Sequence, residues 1–113
     1  MAVYVVNVVI DQGTDFAQTY NLESSSTNAA LDLTGYTGVA QLRKHSSSSR
    51  SYDFTVSFPD RTGGQLKLAM ADTLTRTIKP GRYIYDIILT DTSGLKERVI
   101  EGSALVREGA TKE

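Results

Sequence analysis

Short alternating segments separated by turn residues run through nearly the whole chain, and no other feature limits its fold so strongly. From Val3 to Arg107 there are roughly seven to eight strand-like runs, broken by Asp11-Gln12-Gly13, Leu33-Thr34-Gly35, Pro59-Asp60, Thr62-Gly63-Gly64, Pro80-Gly81 and Thr92-Ser93-Gly94. Gly and Pro supply the backbone angles a reversal needs, so the breaks fall where the chain must turn. Turn signals at such regular spacing predict a small all-β sandwich. Many small sandwiches serve as scaffolds or adhesive surfaces, although a fold alone does not decide function.

The chain has 113 residues and no cysteine. That length predicts one domain over 1–107 and a polar tail over 108–113, with one modest core and no disulfide framework, thiolate nucleophile or zinc–cysteine cluster. Lys plus Arg is 12 against 13 for Asp plus Glu. A phosphate-backbone binder carries a basic excess, so nucleic acid is not expected as a partner. Val3–Ile10 is apolar apart from Asn7 but far too short to span a bilayer, and no basic residues precede it. No membrane role is expected, and synthesis in a reducing cytoplasm fits the composition.

Val3–Ile10 is apolar on both faces, with Val3, Val5 and Val9 on one and Tyr4, Val6, Val8 and Ile10 on the other. Such a strand is covered on both sides. Either it switches from one sheet to the other, or a neighbouring subunit covers one face. Asp15–Leu22 places Phe16, Tyr20 and Leu22 inward. Residues 23–30 form a polar, serine-rich loop, and residues 45–51 a flexible loop tip. In Thr37–Lys44, Gly38 and Ala40 leave room for another backbone or a ring such as Tyr36 to pack close. Tyr52, Phe54, Val56 and Phe58 share a face, as do Leu66, Leu68 and Met70. Asp72 is placed to cap a short helical turn, with Leu74 and Ile78 covering one end. Gly102-Ser103 reads as a bulge in the final strand.

Arg82–Thr90 is the strongest strand, with Tyr83, Tyr85, Ile87 and Leu89 inward and Arg82, Ile84, Asp86, Ile88 and Thr90 outward. Tyr83 follows the Pro80-Gly81 turn as the tyrosine of a tyrosine corner does, with Tyr85 where immunoglobulin domains carry a cysteine. The expected fold is therefore all-β: an immunoglobulin-like antiparallel β-sandwich of about seven to eight strands with at most one short helical turn. Gly35, Pro80, Gly81 and Tyr83 are its expected turn and corner residues.

The chemistry of an enzyme is thin. His45 is the single histidine and lies in a serine-rich loop. Nucleophilic catalysis needs a base held rigidly by a third group, which a loop tip beside Asp53 does not offer. Asp11, Asp15 and Asp91 lack the spacing of a calcium loop and read as turn chemistry. Gly63-Gly64 lacks the lysine and helix start of a phosphate loop. No catalytic residue, metal or cofactor is expected. What remains is surface: Tyr4 and Tyr36 as contact residues, and an outward stripe of Arg82, Ile84 and Ile88. The stripe is either covered by the chain's own loop or first strand, or packed against another subunit. With the first strand included, the candidate interaction residues are Tyr4, Val6, Val8, Arg82, Ile84 and Ile88.

Five segments taken together resemble a known family. They are Ile10-Asp11-Gln12-Gly13-Thr14-Asp15-Phe16, Leu31-Asp32-Leu33-Thr34-Gly35-Tyr36-Thr37, Val39-Ala40-Gln41-Leu42-Arg43-Lys44, Lys79-Pro80-Gly81-Arg82-Tyr83-Ile84-Tyr85-Asp86 and Leu89-Thr90-Asp91-Thr92-Ser93-Gly94. Their order resembles the immunoglobulin-like domain at the start of upper baseplate proteins of tailed phages. It is closer still to small single-domain virion proteins of tailed phages that infect cyanobacteria. In the baseplate family the domain is followed by coiled-coil and receptor-binding parts. The sequence here stops at Glu113, so those functions are not carried over.

The resemblance implies a non-enzymatic, multi-copy structural protein of a virion, made in the host cytoplasm. Its partners are other virion proteins of the baseplate or tail-fibre attachment region. Two alternatives stay open: a decoration or cement protein on the phage capsid, and a host-surface carbohydrate adhesion module. The absence of Trp and the core-like spacing of most Tyr weigh against adhesion.

Overall fold

The computed structural model describes residues 4–23 and 29–111. Val3 of the expected first strand, residues 24–28 of the serine-rich loop and residues 112–113 of the expected tail lie outside them. Eight strands and one short helix follow in order: β1 (Tyr4–Val5), β2 (Val8–Asp11), β3 (Phe16–Asn21), β4 (Thr37–Arg43), β5 (Tyr52–Asp60), β6 (Gln65–Met70), α1 (Asp72–Thr75), β7 (Gly81–Thr90) and β8 (Lys96–Arg107). They form a curled sheet in the order β1-β8-β7-β4-β5-β6-β3, with β2 also on β8.

The curl comes from β5. Its first residues, Tyr52–Phe54, pair with β4, and the rest pairs with β6. One strand thus serves both layers of a sandwich, with β1, β2, β8, β7 and β4 in one layer and β6 and β3 in the other. Between Ser57 and Asp60 the register on β6 slips. Pro59 lies there, where a missing N–H costs no ladder bond. The strand order and the corner described below make this an immunoglobulin-like β-sandwich with one short helix.

The core follows the alternation. Phe16, Tyr20, Leu66, Leu68 and Met70 of one layer meet Leu42, Phe54, Tyr85, Ile87 and Leu89 of the other, all buried. Rings occupy the centre: Phe54 lies 5.8 Å from Phe16 and 6.0 Å, edge-on, from Tyr85. Leu33, from the loop before β4, is also fully buried. Its carbonyl and that of Tyr36 accept hydrogen bonds from Arg61, whose guanidinium stacks on Phe58. Arg61 thereby pins a loop that alternation alone does not place.

No disulfide joins the layers. Instead the Tyr20 and Tyr85 hydroxyls meet at 2.9 Å, and the Tyr85 hydroxyl donates to the Val6 carbonyl at 2.6 Å. Tyr20 is on β3 and Tyr85 on β7, so this relay links the two layers and then the first strand. Two residues earlier, the Tyr83 hydroxyl donates to the Lys79 carbonyl at 2.8 Å, which is the bond of a tyrosine corner.

Several expectations need correction. The first strand does not switch layers. β1 and β2 both pair with β8, in parallel and in one continuous register from Tyr4 opposite Ile100 to Asp11 opposite Arg107. The sandwich is therefore not wholly antiparallel. The strand stays beside β8 because its midpoint is tied down: Asn7 Oδ1 accepts the Ser103 N–H, and the Val6 carbonyl turns inward to Tyr85.

The bulge in β8 is not at Gly102-Ser103. Ile87 faces Ile100 while Ile88 faces Arg98, so Val99 is the extra residue. Val99 and Ile100 are both buried, which an unbroken alternation would forbid. Gly102 is there for a different reason. A Cβ on it would sit 2.1 Å from the Val6 carbonyl oxygen. Asp72 is not the helix cap. Ala71 is, and the Asp72 N–H is received by the Asp15 carboxylate at 2.8 Å. The ring near Gly38 is Phe58 rather than Tyr36.

Two outcomes test this frame. Tyr85→Phe strips partners from both the Val6 carbonyl and the Tyr20 hydroxyl, whereas Tyr20→Phe leaves the bond to Val6 intact. Urea unfolding is expected to show a loss of about 1–3 kcal/mol for the first and about 0.5–1.5 kcal/mol for the second. Gly102→Ala forces the first strand away from β8, at a cost of about 1–3 kcal/mol. Amide exchange should then quicken first at Val6 and Val8.

Candidate functional site

Because side chains alternate, the outer face of the β1/β2–β8–β7–β4 layer is set by strand register. Rows cross the strands: Val9, Leu105 and Arg82; Ser103, Ile84 and Arg43; Glu101, Asp86 and Gln41; Arg98, Ile88 and Val39. Val5 stands at the edge beside Glu101. Exposure on this face is high at apolar positions, at 71% for Val5, 62% for Val39, 47% for Val9 and 42% for Ile84. Among the described residues, no loop or strand covers Ile84, because the first strand lies beside β8 in the same layer.

The face is not a continuous apolar stripe. Asp86 stands between Ile84 and Ile88 on β7 and pairs with Arg98 at 3.2 Å. Beside it, Arg43 donates to Gln41 and Gln41 donates to Asp53, each at 2.9 Å. Gln41, Arg43, Asp86, Arg98 and Glu101 line a shallow concavity of about 480 Å³ with Ile84. The result is a mixed surface with isolated apolar points around a polar middle. Such a surface is typical of non-obligate protein contacts, which are no more apolar than other surface.

The predicted interaction residues divide. Arg82 is exposed and Ile84 well exposed on this face, while Ile88 is half-buried. Tyr4 is exposed at the edge, in register with the inward Ile100. Val6 is partly buried against the core, and Val8 is buried at 8% exposure. Val8 therefore presents nothing to a partner, because β2 turns it and Ile10 inward. Tyr36 is half-buried against the core. Val5, Val9 and Val39 are exposed points of this face outside the predicted set, because alternation does not tell which face of a strand stays open.

The turn and corner residues sit where the sequence placed them. Gly35 has φ +80° in the turn before β4, and Pro80-Gly81 leads into β7. The remaining polar candidates are spent on structure. Asp11 pairs with Arg107 at 2.8 Å. Asp91 receives the N–H groups of Ser93 and Leu95, which holds its carboxyl below the usual range, the Ser93 hydroxyl contributing most. Asp53 meets Gln41, not His45. The Thr75 hydroxyl, buried, donates to the Thr14 carbonyl and accepts the Gly13 N–H, tying α1 to the turn after β2. Among the described residues, no three His, Cys, Asp or Glu side chains converge. None of their helices is long and apolar enough to cross a membrane.

Three tyrosines titrate high. Burial raises Tyr20, against a lesser opposite effect of its bond with Tyr85. Burial raises Tyr85 further, with the Tyr20 bond adding to it. Burial also raises Tyr83, helped by nearby Tyr52 and opposed by Arg50.

No protein-family model matches the sequence, and no curated protein matches it. Solved structures similar to the chain include an internalin-like protein of Listeria monocytogenes (10% identity, TM-score 0.45, covering 95% of this chain and 28% of that one). Another is the N-terminal four-immunoglobulin-domain portion of Dscam1 (14%, 0.44, 96% and 24%). A third is a family 123 glycoside hydrolase of Clostridium perfringens (12%, 0.44, 96% and 24%). The chain spans about a quarter of the length of these proteins. The fold assignment rests on strand order and the tyrosine corner.

The raised tyrosines carry a pH consequence. Each holds its proton more tightly folded than unfolded, so the stability it lends is full below about pH 10, the unfolded value. That stability is lost as pH rises further. Chemical unfolding from pH 8 to 11.5 should show a flat region and then a fall. Tyr85→Phe, though less stable at neutral pH, should fall less steeply. An unchanged slope in that variant would assign the alkaline loss to other groups.

Proposed function

We propose that the chain is a non-enzymatic structural protein of a phage particle, an immunoglobulin-like subunit of the baseplate or tail-fibre attachment region that binds neighbouring virion proteins. The sequence resemblance supplies the particle, and the sandwich is compatible with it. The observation that carries the binding role is the outer face of the β1/β2–β8–β7–β4 layer. There Val5, Val9, Val39 and Ile84 stand exposed around the Asp86–Arg98 pair. Apolar points set among oriented polar groups favour a specific neighbour, since the points supply contact area and the ion pair fixes register.

Immunogold labelling of intact particles with an antibody to this chain tests the assignment. Gold at the neck or tail tip is expected. Even labelling of the head would replace this reading with a capsid decoration protein, and unlabelled particles would remove the virion role. The face is tested separately by Val39→Asp with Ile84→Asp. Both positions are exposed, so the thermal transition should move by little, with each surface change within about 0.5 kcal/mol. Incorporation into particles should fall sharply. Normal incorporation of the folded variant would exclude this face.

A further inference from the structure

A second surface lies at one end of the sandwich, where the loop after β4 meets the turn before β7. It is a notch of about 320 Å³ whose lining includes Lys44, Arg50, Tyr52, Lys79 and Tyr83. Among the described residues no Asp or Glu lines it, in a chain where acids outnumber bases. The salt bridges formed among the described residues use Arg76, Arg98 and Arg107. Lys44, Arg50 and Lys79 meet no carboxylate there. Three cations around one small hollow repel one another, and neighbours of opposite sign would have relieved this. None is supplied.

The cations are also placed. Lys44 Nζ lies 4.9 Å from the Tyr83 ring centroid, and the Arg50 guanidinium lies 5.9 Å from that of Tyr52. Gly81, at φ +147°, clears the way for Lys44, because a Cβ there would come within 3.0 Å of its ammonium. The Tyr83 hydroxyl fixes the Lys79 backbone. The loop is braced from below, with Arg43 donating to the Ser48 carbonyl and Ser48 Oγ receiving the His45 N–H. The hollow is thus bounded by two rings, a cationic rim and a hydrogen-bonded loop.

We propose that this notch binds an acidic peptide segment, an Asp or Glu carboxylate carried beside an apolar side chain. The cations take the carboxylate, with Arg50 offering the fork that matches its two oxygens. The half-buried Tyr52 ring takes the apolar part, with the buried Tyr83 ring behind Lys44. A bare phosphate fits less well, since Pro80 lines the hollow without an N–H and ring walls offer such an ion nothing. A nucleic-acid backbone needs a basic track rather than one hollow. This site stands apart from the outer face and does not depend on the particle assignment.

The test is an amide-shift titration of the isotope-labelled chain with the peptide acetyl-Gly-Glu-Leu-Glu-Gly-amide. Its Gln-for-Glu counterpart and inorganic phosphate serve as comparators. Saturable shifts at Lys44, Ser48 and Tyr83 are expected with the Glu peptide alone, and they should be largely lost in about 0.5 M NaCl. Lys44→Gln and Lys79→Gln should each weaken binding about two- to fivefold, the range of exposed ion pairs. With Arg50→Gln added, binding should vanish. No shifts, equal shifts with the Gln peptide, or equal shifts with phosphate would overturn the proposal. The two comparators use the unaltered chain, so they decide the matter even if a variant fails to fold.

Discussion

The contact on which the rest of the structure depends is the hydroxyl relay from Tyr20 through Tyr85 to the Val6 carbonyl. Apolar packing holds two layers together but does not fix how one slides over the other, because it is non-directional. Immunoglobulin domains commonly fix that register with a disulfide between the layers. This chain has no cysteine, and two buried tyrosines stand in the equivalent strands instead. A hydrogen bond is far weaker than a covalent one, but inside a core it is stringent. A buried hydroxyl without a partner is costly, so slippage is opposed by the desolvation of three polar groups at once. Phe54 packs edge-on to the Tyr85 ring and so limits its alternatives.

The relay also explains features distant from it. Turning the Val6 carbonyl inward removes it from the ladder with β8, and Asn7 fills that gap by accepting the Ser103 N–H. The inward carbonyl then occupies the space of a side chain on β8, which is why Gly102 stands there. With its midpoint fastened, the first strand remains in the β8 layer and leaves the outer face bare. The exposure of Val5, Val9 and Ile84 thus follows from a bond on the opposite side of the sheet.

Much of this fold was legible because alternation is a local property. The inward rows of β3, β6 and β7, the Pro80-Gly81 turn and the Tyr83 corner all follow from a handful of neighbouring residues. The failures are non-local. The parallel pairing of Val8–Asp11 with β8 joins residues nearly the whole chain apart, and no window of sequence contains both. Val8 looked available because a strand apolar on both sides hides which side is the core. Gly102-Ser103 reads as the bulge because glycine is the usual sign of one, whereas Val99 and Ile100 mark it by being consecutive and both buried. The basic notch gave no signal at all. Its residues come from two turns separated by some thirty positions, and each of them alone reads as an ordinary solvated charge.

Strand β7 connects the two candidate surfaces. Its outward residues Arg82, Ile84, Asp86 and Ile88 build the face, while inward Tyr83 closes the wall of the notch and anchors the turn carrying Lys79. A shared strand raises the question of whether the surfaces can act independently. Their chemistry separates them. On the proposed readings, contact at Val39 and Ile84 would draw on apolar area, whereas contact at Lys44, Arg50 and Lys79 would act through charge at an exposed rim and weaken as salt rises. Tyr85, held by the relay, lies between the corner residue Tyr83 and the Asp86–Arg98 pair. On the two proposed readings, a neighbour on the face would leave the notch open, because the face uses the outward residues of β7 and the notch uses inward Tyr83.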